Sequence, residues 1–194
     1  MMKTVTAAAA SAFALLVATA TPTMAGPTKA QKCSAGLMKL TAKKASCELG
    51  ADAKAAAKGG APDITKCMTS FTPAFNKVHG KGGCTTSADA TTIEAKVDMF
   101  TADVDAELGV GTPNKCQGAK IKAAGKKQAC EIGANAKAVT KGGTADVSKC
   151  TSSFSSSFAK AQASKGGCHT SGDAGAIETK VDNFVSDVVD ELKP

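Results

Sequence analysis

Residues 81–100, KGGCTTSADATTIEAKVDMF, return almost unchanged as residues 165–184, KGGCHTSGDAGAIETKVDNF. Working outward from this pair, Lys32–Leu108 lies on Lys115–Leu192 with one inserted residue near Gly80. About half of the aligned positions are identical. All four cysteines of each copy correspond: Cys33 with Cys116, Cys47 with Cys130, Cys67 with Cys150, and Cys84 with Cys168. The chain therefore reads as a tandem duplication of a unit of roughly 80 residues, longer than the common solenoid periods. GVGTP (109–113) is a Gly/Pro linker between the copies. The units are assigned as 26–110 and 111–194. Each holds a complete helix and cysteine set and is expected to fold alone.

Punctuation inside a unit predicts three helices. An Ala/Lys/Leu-rich run from about Thr28 to Lys58 stops at KGG, and its copy stops at the same motif at 141–143. A glycine in a left-handed conformation ends a helix in this way. Asp63 and Asp146 stand as N-caps of a second helix, in which Ile64, Cys67, Met68, Phe71 and Phe75 recur at spacings of three and four. Pro73 is expected to kink this helix, but its counterpart is Ser156, so the kink is not essential to the unit. Asp89 and Asp173 are the expected N-caps of a third helix. There Ile93, Val97, Phe100, Val104 and Leu108 form a stripe, repeated as Ile177, Val181, Phe184, Val188 and Leu192. No alternating β pattern occurs. The fold class is all-α: two tandem three-helix units, each a disulfide-stapled α-hairpin plus a third amphipathic helix.

Residues 1–25 precede the first unit. A basic start at Lys3, an apolar run at 7–20 and the small residues of TPTMAG predict a secretory signal peptide cleaved after Ala25. The run is short for a bilayer span, and no later segment is apolar enough to cross. The exported chain is expected to be soluble, in a secreted, periplasmic or cell-envelope setting.

Eight cysteines in an exported chain read as a disulfide framework. Within a unit, four cysteines allow three pairings. Cys33 and Cys47 lie on one predicted helix about 21 Å apart, beyond the roughly 7 Å reach of a disulfide. In an antiparallel hairpin folded about KGG, Cys47 faces Cys67, and Cys33 faces Cys84. The crossed pairing would displace its partners by several helical turns. The expected bridges are Cys47–Cys67 inside Cys33–Cys84, and Cys130–Cys150 inside Cys116–Cys168.

Other chemistry finds little footing. Zinc sites bring cysteines in close pairs, and none occurs here. Copper(I) held by thiolates in a bundle core is the alternative if the compartment is reducing. His79 and His169 do not correspond between copies; their aligned partners are Gln162 and Thr85. The shared carboxylates are Glu94, Asp98, Asp103 and Glu107, matched by Glu178, Asp182, Asp187 and Glu191. They flank the apolar stripe and read as an ion-paired or solvated face toward the lysine-rich first helix. No phosphate-binding glycine loop or nucleophile motif is present. No catalytic, cofactor-binding or metal-binding residue is assigned, and no cofactor.

Without Lys3, 23 lysines stand against 17 acidic residues, for a net charge of about +6. The chain has no Arg, Trp or Tyr. Without arginine forks or aromatic platforms, specific nucleic-acid recognition is not expected, and the commonest interface anchors are missing. Lysine alone gives weak Coulomb attraction to anionic surfaces.

The phrases KKASCELGADAKAAAKGG (43–60) and KAQASKGGCHTSGDAGAIETKVDNFV (160–185) resemble a group of exported bacterial proteins with Ala/Lys-rich four-cysteine helical units, often in tandem. The resemblance covers both units. It implies a bacterial secretome or envelope setting and no particular activity.

The leading expectation is a non-enzymatic exported module with a structural or interaction role at the cell surface or outside the cell, its partner unknown. The alternatives are a thiol-based copper-binding protein and a cationic membrane-active effector. The effector would need a broad apolar face exposed to lipid.

Overall fold

The computed structural model describes residues 26–164 and 166–194; the expected signal peptide, 1–25, lies outside them. Six helices follow in order: α1 (Lys29–Lys58), α2 (Thr65–His79), α3 (Ala90–Glu107), α4 (Lys115–Lys141), α5 (Ser148–Gln162) and α6 (Ala174–Leu192). No strand occurs among the described residues. The protein is all-α, with three helices and two disulfides in each copy.

Local chemistry sets the helix ends. Thr28 opens α1 with a capping box: its hydroxyl accepts from Gln31 N at 3.1 Å while Gln31 Oε1 accepts from Thr28 N at 2.8 Å. Gly59 (φ 87°) and Gly142 (φ 70°) end α1 and α4 in a conformation that side chains avoid. Asp63 and Asp146 differ from expectation. The N-cap positions fall one residue later, at Ile64 and Val147. Each aspartate instead accepts from the backbone two residues on, at Thr65 and Ser148. Pro73 sits inside α2, which continues through it.

The copies pack as an internal dimer. α1 and α4 lie antiparallel: Gln128 Nε2 donates to Ala42 O at 3.1 Å near their middles, and Asn114 N to Ala56 O at 2.7 Å near one end. Small residues let the backbones close. A Cβ on Gly118 would collide with the Ala53 carbonyl oxygen and stand 2.9 Å from Ala57 Cβ. Above this layer, α3 packs on α6. Lys96 reaches Glu191 at 3.9 Å, and Lys180 reaches Glu107 at 3.7 Å. These are the same pair read from each copy, the mark of an isologous two-fold contact. Ser34 and Gln117, equivalent residues, likewise donate to the carbonyls of Leu192 and Leu108, the ends of the other copy's third helix. α2 flanks α1, and α5 flanks α4.

One apolar core runs through both copies, from Leu37, Leu49, Phe71 and Phe75 to Ile121, Ile132, Phe154 and Phe158. The boundary at residues 109–113 separates α3 from α4 in the chain, yet the flat Ala/Gly face of each first helix is buried only against the other copy. This contact has no counterpart in an isolated unit.

Candidate functional site: staples, buried lysines and two charged faces

The cysteines form nested bridges. Cys47–Cys67 lies inside Cys33–Cys84, with Cα separations of 5.7 and 5.3 Å. Cys130–Cys150 lies inside Cys116–Cys168, with separations of 5.6 and 5.2 Å. No cysteine is free. Paired in this way, the eight cysteines leave no thiolate for copper. Four disulfides mark a protein of an oxidising compartment, extracellular or periplasmic.

Beside each inner bridge a buried lysine ties three helices together. Lys44, from α1, bonds Glu48 one turn on, Asp98 of α3 at 2.8 Å and Glu94 at 3.4 Å. Its ammonium lies 5.9 Å from the Phe71 ring centroid of α2. Lys127 does the same in the second copy, with Glu131 at 2.6 Å, Glu178 at 3.7 Å, Asp182, and the Phe154 ring at 5.9 Å. Burial works against both ammonium charges, yet the bonds to Asp98 and Glu48, and to Asp182 and Glu131, hold their pKa values above the ordinary lysine range. Burial also pushes Glu48 and Glu131 up, partly offset by their lysines. Four of the eight shared carboxylates are therefore spent on internal pairing, and Glu107 and Glu191 bridge the copies. Asp103 and Asp187 face solvent.

Two of the differences between the copies bury charge. Leu37 becomes Lys120, whose buried Nζ bonds both Asp173 oxygens at 2.8 and 2.9 Å and the Thr170 carbonyl at 2.8 Å. Asp173 is drawn inward and makes no side-chain cap on α6, whereas Asp89 caps α3 by accepting from Thr92 N at 2.7 Å. Burial opposes the Asp173 charge, but Lys120 and Thr170 hold its pKa below the usual carboxylate range. The second difference is acidic. Asp52 is buried on α1. Burial, with Asp105 and Glu48 adding repulsion, pushes its pKa up to about 7. Burial pushes Asp105 up to about 6, and one of its oxygens is buried without a hydrogen-bond partner. Asn135 and Val189 stand at the matching positions of the second copy.

No protein-family model matches the chain, and no curated protein or solved structure is significantly similar to it.

Both histidines are exposed and separate. His79 Nε2 lies 3.5 Å from Thr86 O, and His169 Nε2 lies 3.2 Å from Thr112 Oγ1. Among the described residues no group of three or more His, Cys, Asp or Glu is arranged to hold a metal. No helix there is long and apolar enough to cross a membrane. Among the described residues the large apolar side chains left exposed are Met68, Met99 and Val110, on α2, on α3 and in the linker. They do not form the apolar face that a membrane-active effector requires. A small groove opens beside each inner bridge, about 180 Å³ at Lys43, Cys47 and Phe71 and about 50 Å³ at the matching Lys126, Cys130 and Phe154.

Sequence reading missed Lys44, Lys120, Lys127, Asp52 and Asp105. A signal for two of them was present: Lys44 and Lys127 each have a glutamate four residues on, in both copies.

Proposed function

We propose that this protein is an exported, non-enzymatic helical module with a structural or interaction role at the cell surface or outside the cell. The observation that carries the reading is the use made of the polar positions the copies share. The cysteines close staples, and Lys44 and Lys127 with their carboxylates bind helix to helix. Of the remaining shared charges, the outer lysines of α1 and α4 and the pair Asp103 and Asp187 face solvent. Evolution of an enzyme by duplication would be expected to repeat a reactive constellation; what is repeated here is framework and surface. The basic start and apolar run of residues 1–25 support export, and four disulfides suit the compartment it leads to.

The test is expression of the full chain with a C-terminal tag in a bacterial host, followed by fractionation, thiol counting and N-terminal sequencing. The expected product lies outside the cytoplasm, starts near Gly26 and has no free thiol. A cytoplasmic, reduced chain beginning at Met1 would overturn the reading.

A further inference from the structure

The first helices place their lysines with unusual regularity. Lys32, Lys39, Lys43, Lys54 and Lys58 of α1 are all exposed. Each recurs 83 residues on, as Lys115, Lys122, Lys126, Lys137 and Lys141 of α4, also exposed. Lys39, Lys43 and Lys54 each follow a core-facing residue, Leu37, Thr41 and Asp52, by two positions. Two positions turn a helix by about 200°, so these lysines point away from the α3–α6 layer. The acids of α1 and α4, namely Glu48, Asp52 and Glu131, are all buried. None of the ten lysines forms a salt bridge among the described residues. On the opposite layer Asp103 and Asp187 face solvent, and Asp98, Asp182 and Asp190 stay partly exposed while paired with Lys44, Lys127 and Lys193.

Because α1 and α4 lie antiparallel and close, their two rows stand side by side. Gly50 and Gly133, which interrupt the rows at matching positions, add no bulk. The result is a flat basic face about 45 Å long on one side of a molecule whose other side is acidic.

We infer that this face is a docking surface for an anionic lipid bilayer, held by charge alone and without insertion. The inference rests on the interaction role proposed above and names the partner. A plane of charge meets both rows along their whole length at once. The face offers no arginine forks or aromatic platforms for nucleic acid. It also offers no large apolar side chain to enter hydrocarbon, since Met68, Met99 and Val110 lie elsewhere. The acidic layer turns outward and orients the molecule.

The test is co-sedimentation of the oxidised full-length mature chain with vesicles. Binding is expected to phosphatidylglycerol-containing vesicles, not to pure phosphatidylcholine. It should vanish at high salt, as surface charge attraction does, and should release no trapped dye. A variant with K39E, K43E, K122E and K126E should lose more than about a hundredfold in affinity, since each lysine near such a surface is worth roughly fivefold. A control with the same charge change on α2 and α5, K66E, K77E, K149E and K160E, should retain most binding. Circular dichroism and a thiol count verify that both variants fold.

Equal loss in the two variants would overturn the face in favour of diffuse net charge. Tighter binding to double-stranded DNA or heparin than to vesicles of equal charge concentration would overturn the lipid partner, and dye release would overturn docking without insertion. None of these outcomes touches export, which fractionation decides separately.

Discussion

The ring of Phe100 lies flat on that of Phe184, with centroids 4.1 Å apart and planes 3° from parallel. The two residues hold the same position in the two copies, so this stack sits where the internal two-fold passes through the α3–α6 layer. Phe100→Ala or Phe184→Ala is expected to cost about 3–5 kcal/mol. The double variant should cost less than the two single losses together, because a coupling of about 0.5–1.5 kcal/mol between the rings disappears only once. Urea unfolding of the four proteins measures it. Strict additivity would mean the rings do not interact.

Separate halves test the shared core. Residues 26–110 and 111–194, expressed in an oxidising compartment, should each be helical but expose the Ala/Gly face of α1 or α4. Size-exclusion chromatography should show each half self-associating, and a mixture forming a one-to-one complex. A half that stays monomeric and melts cooperatively would show that its own three helices suffice.

Two glycines in one helix should respond with opposite signs. Gly118 has the Ala53 carbonyl where a methyl would go, while Gly133 has nothing within 4 Å. Gly118→Ala should push α4 off α1 and cost about 1–3 kcal/mol. Gly133→Ala should stabilise the same helix by about 0.5–1 kcal/mol, the helix preference of alanine. Thermal melts of both variants check it: equal shifts of the same sign would contradict a tight approach at Gly118.

Acid–base behaviour should be lopsided between the copies. Asp52 and Asp105 have folded pKa values of about 7 and about 6, above their unfolded ones. Folding therefore takes up protons, and stability falls as pH rises from about 4 to about 7. The raised values of Glu48 and Glu131 act in the same direction. The lowered value of Asp173 acts at the acid end, where its contribution is lost as pH falls through it. A mildly acidic optimum is expected. Asp52→Asn, which installs the residue found at Asn135, should flatten the neutral limb and add about 1–3 kcal/mol at pH 7. A melting temperature that climbs between about pH 5 and pH 7 would contradict this.

What the sequence disclosed, and what it hid, follows from the range of each interaction. Helices, their glycine stops and the nested bridges were legible because each depends on periodicity or on equal distance from one turn. The position of Lys44 was not. It follows Lys43 directly, and only the 100° between neighbours sends one to solvent and the other beneath the Phe71 ring. The inter-copy contact was hidden as well. By themselves Gly118 and Gly125 are unfavourable in a helix, and only the nearness of Ala53 and Leu49 gives them a purpose. Asp173 was placed correctly at a helix start, but the single change from Leu37 to Lys120, far off in sequence, took its side chain for another use.

Near the two-fold, the contact between the first helices is no longer symmetric. Gln128 of α4 bonds the Ala42 carbonyl and, at 2.8 Å, the Ser46 hydroxyl of α1. The residues matching Gln128 and Ser46 are Ala45 and Ala129. Two first copies would bring no amide to this spot, and two second copies would bring two amides and no hydroxyl. Each half thus recognises its sibling better than its own likeness. The five-residue tether at 109–113 adds an effective concentration in the millimolar range for that pairing. In a crowded pool, chains of this protein would close on themselves rather than exchange halves with their neighbours.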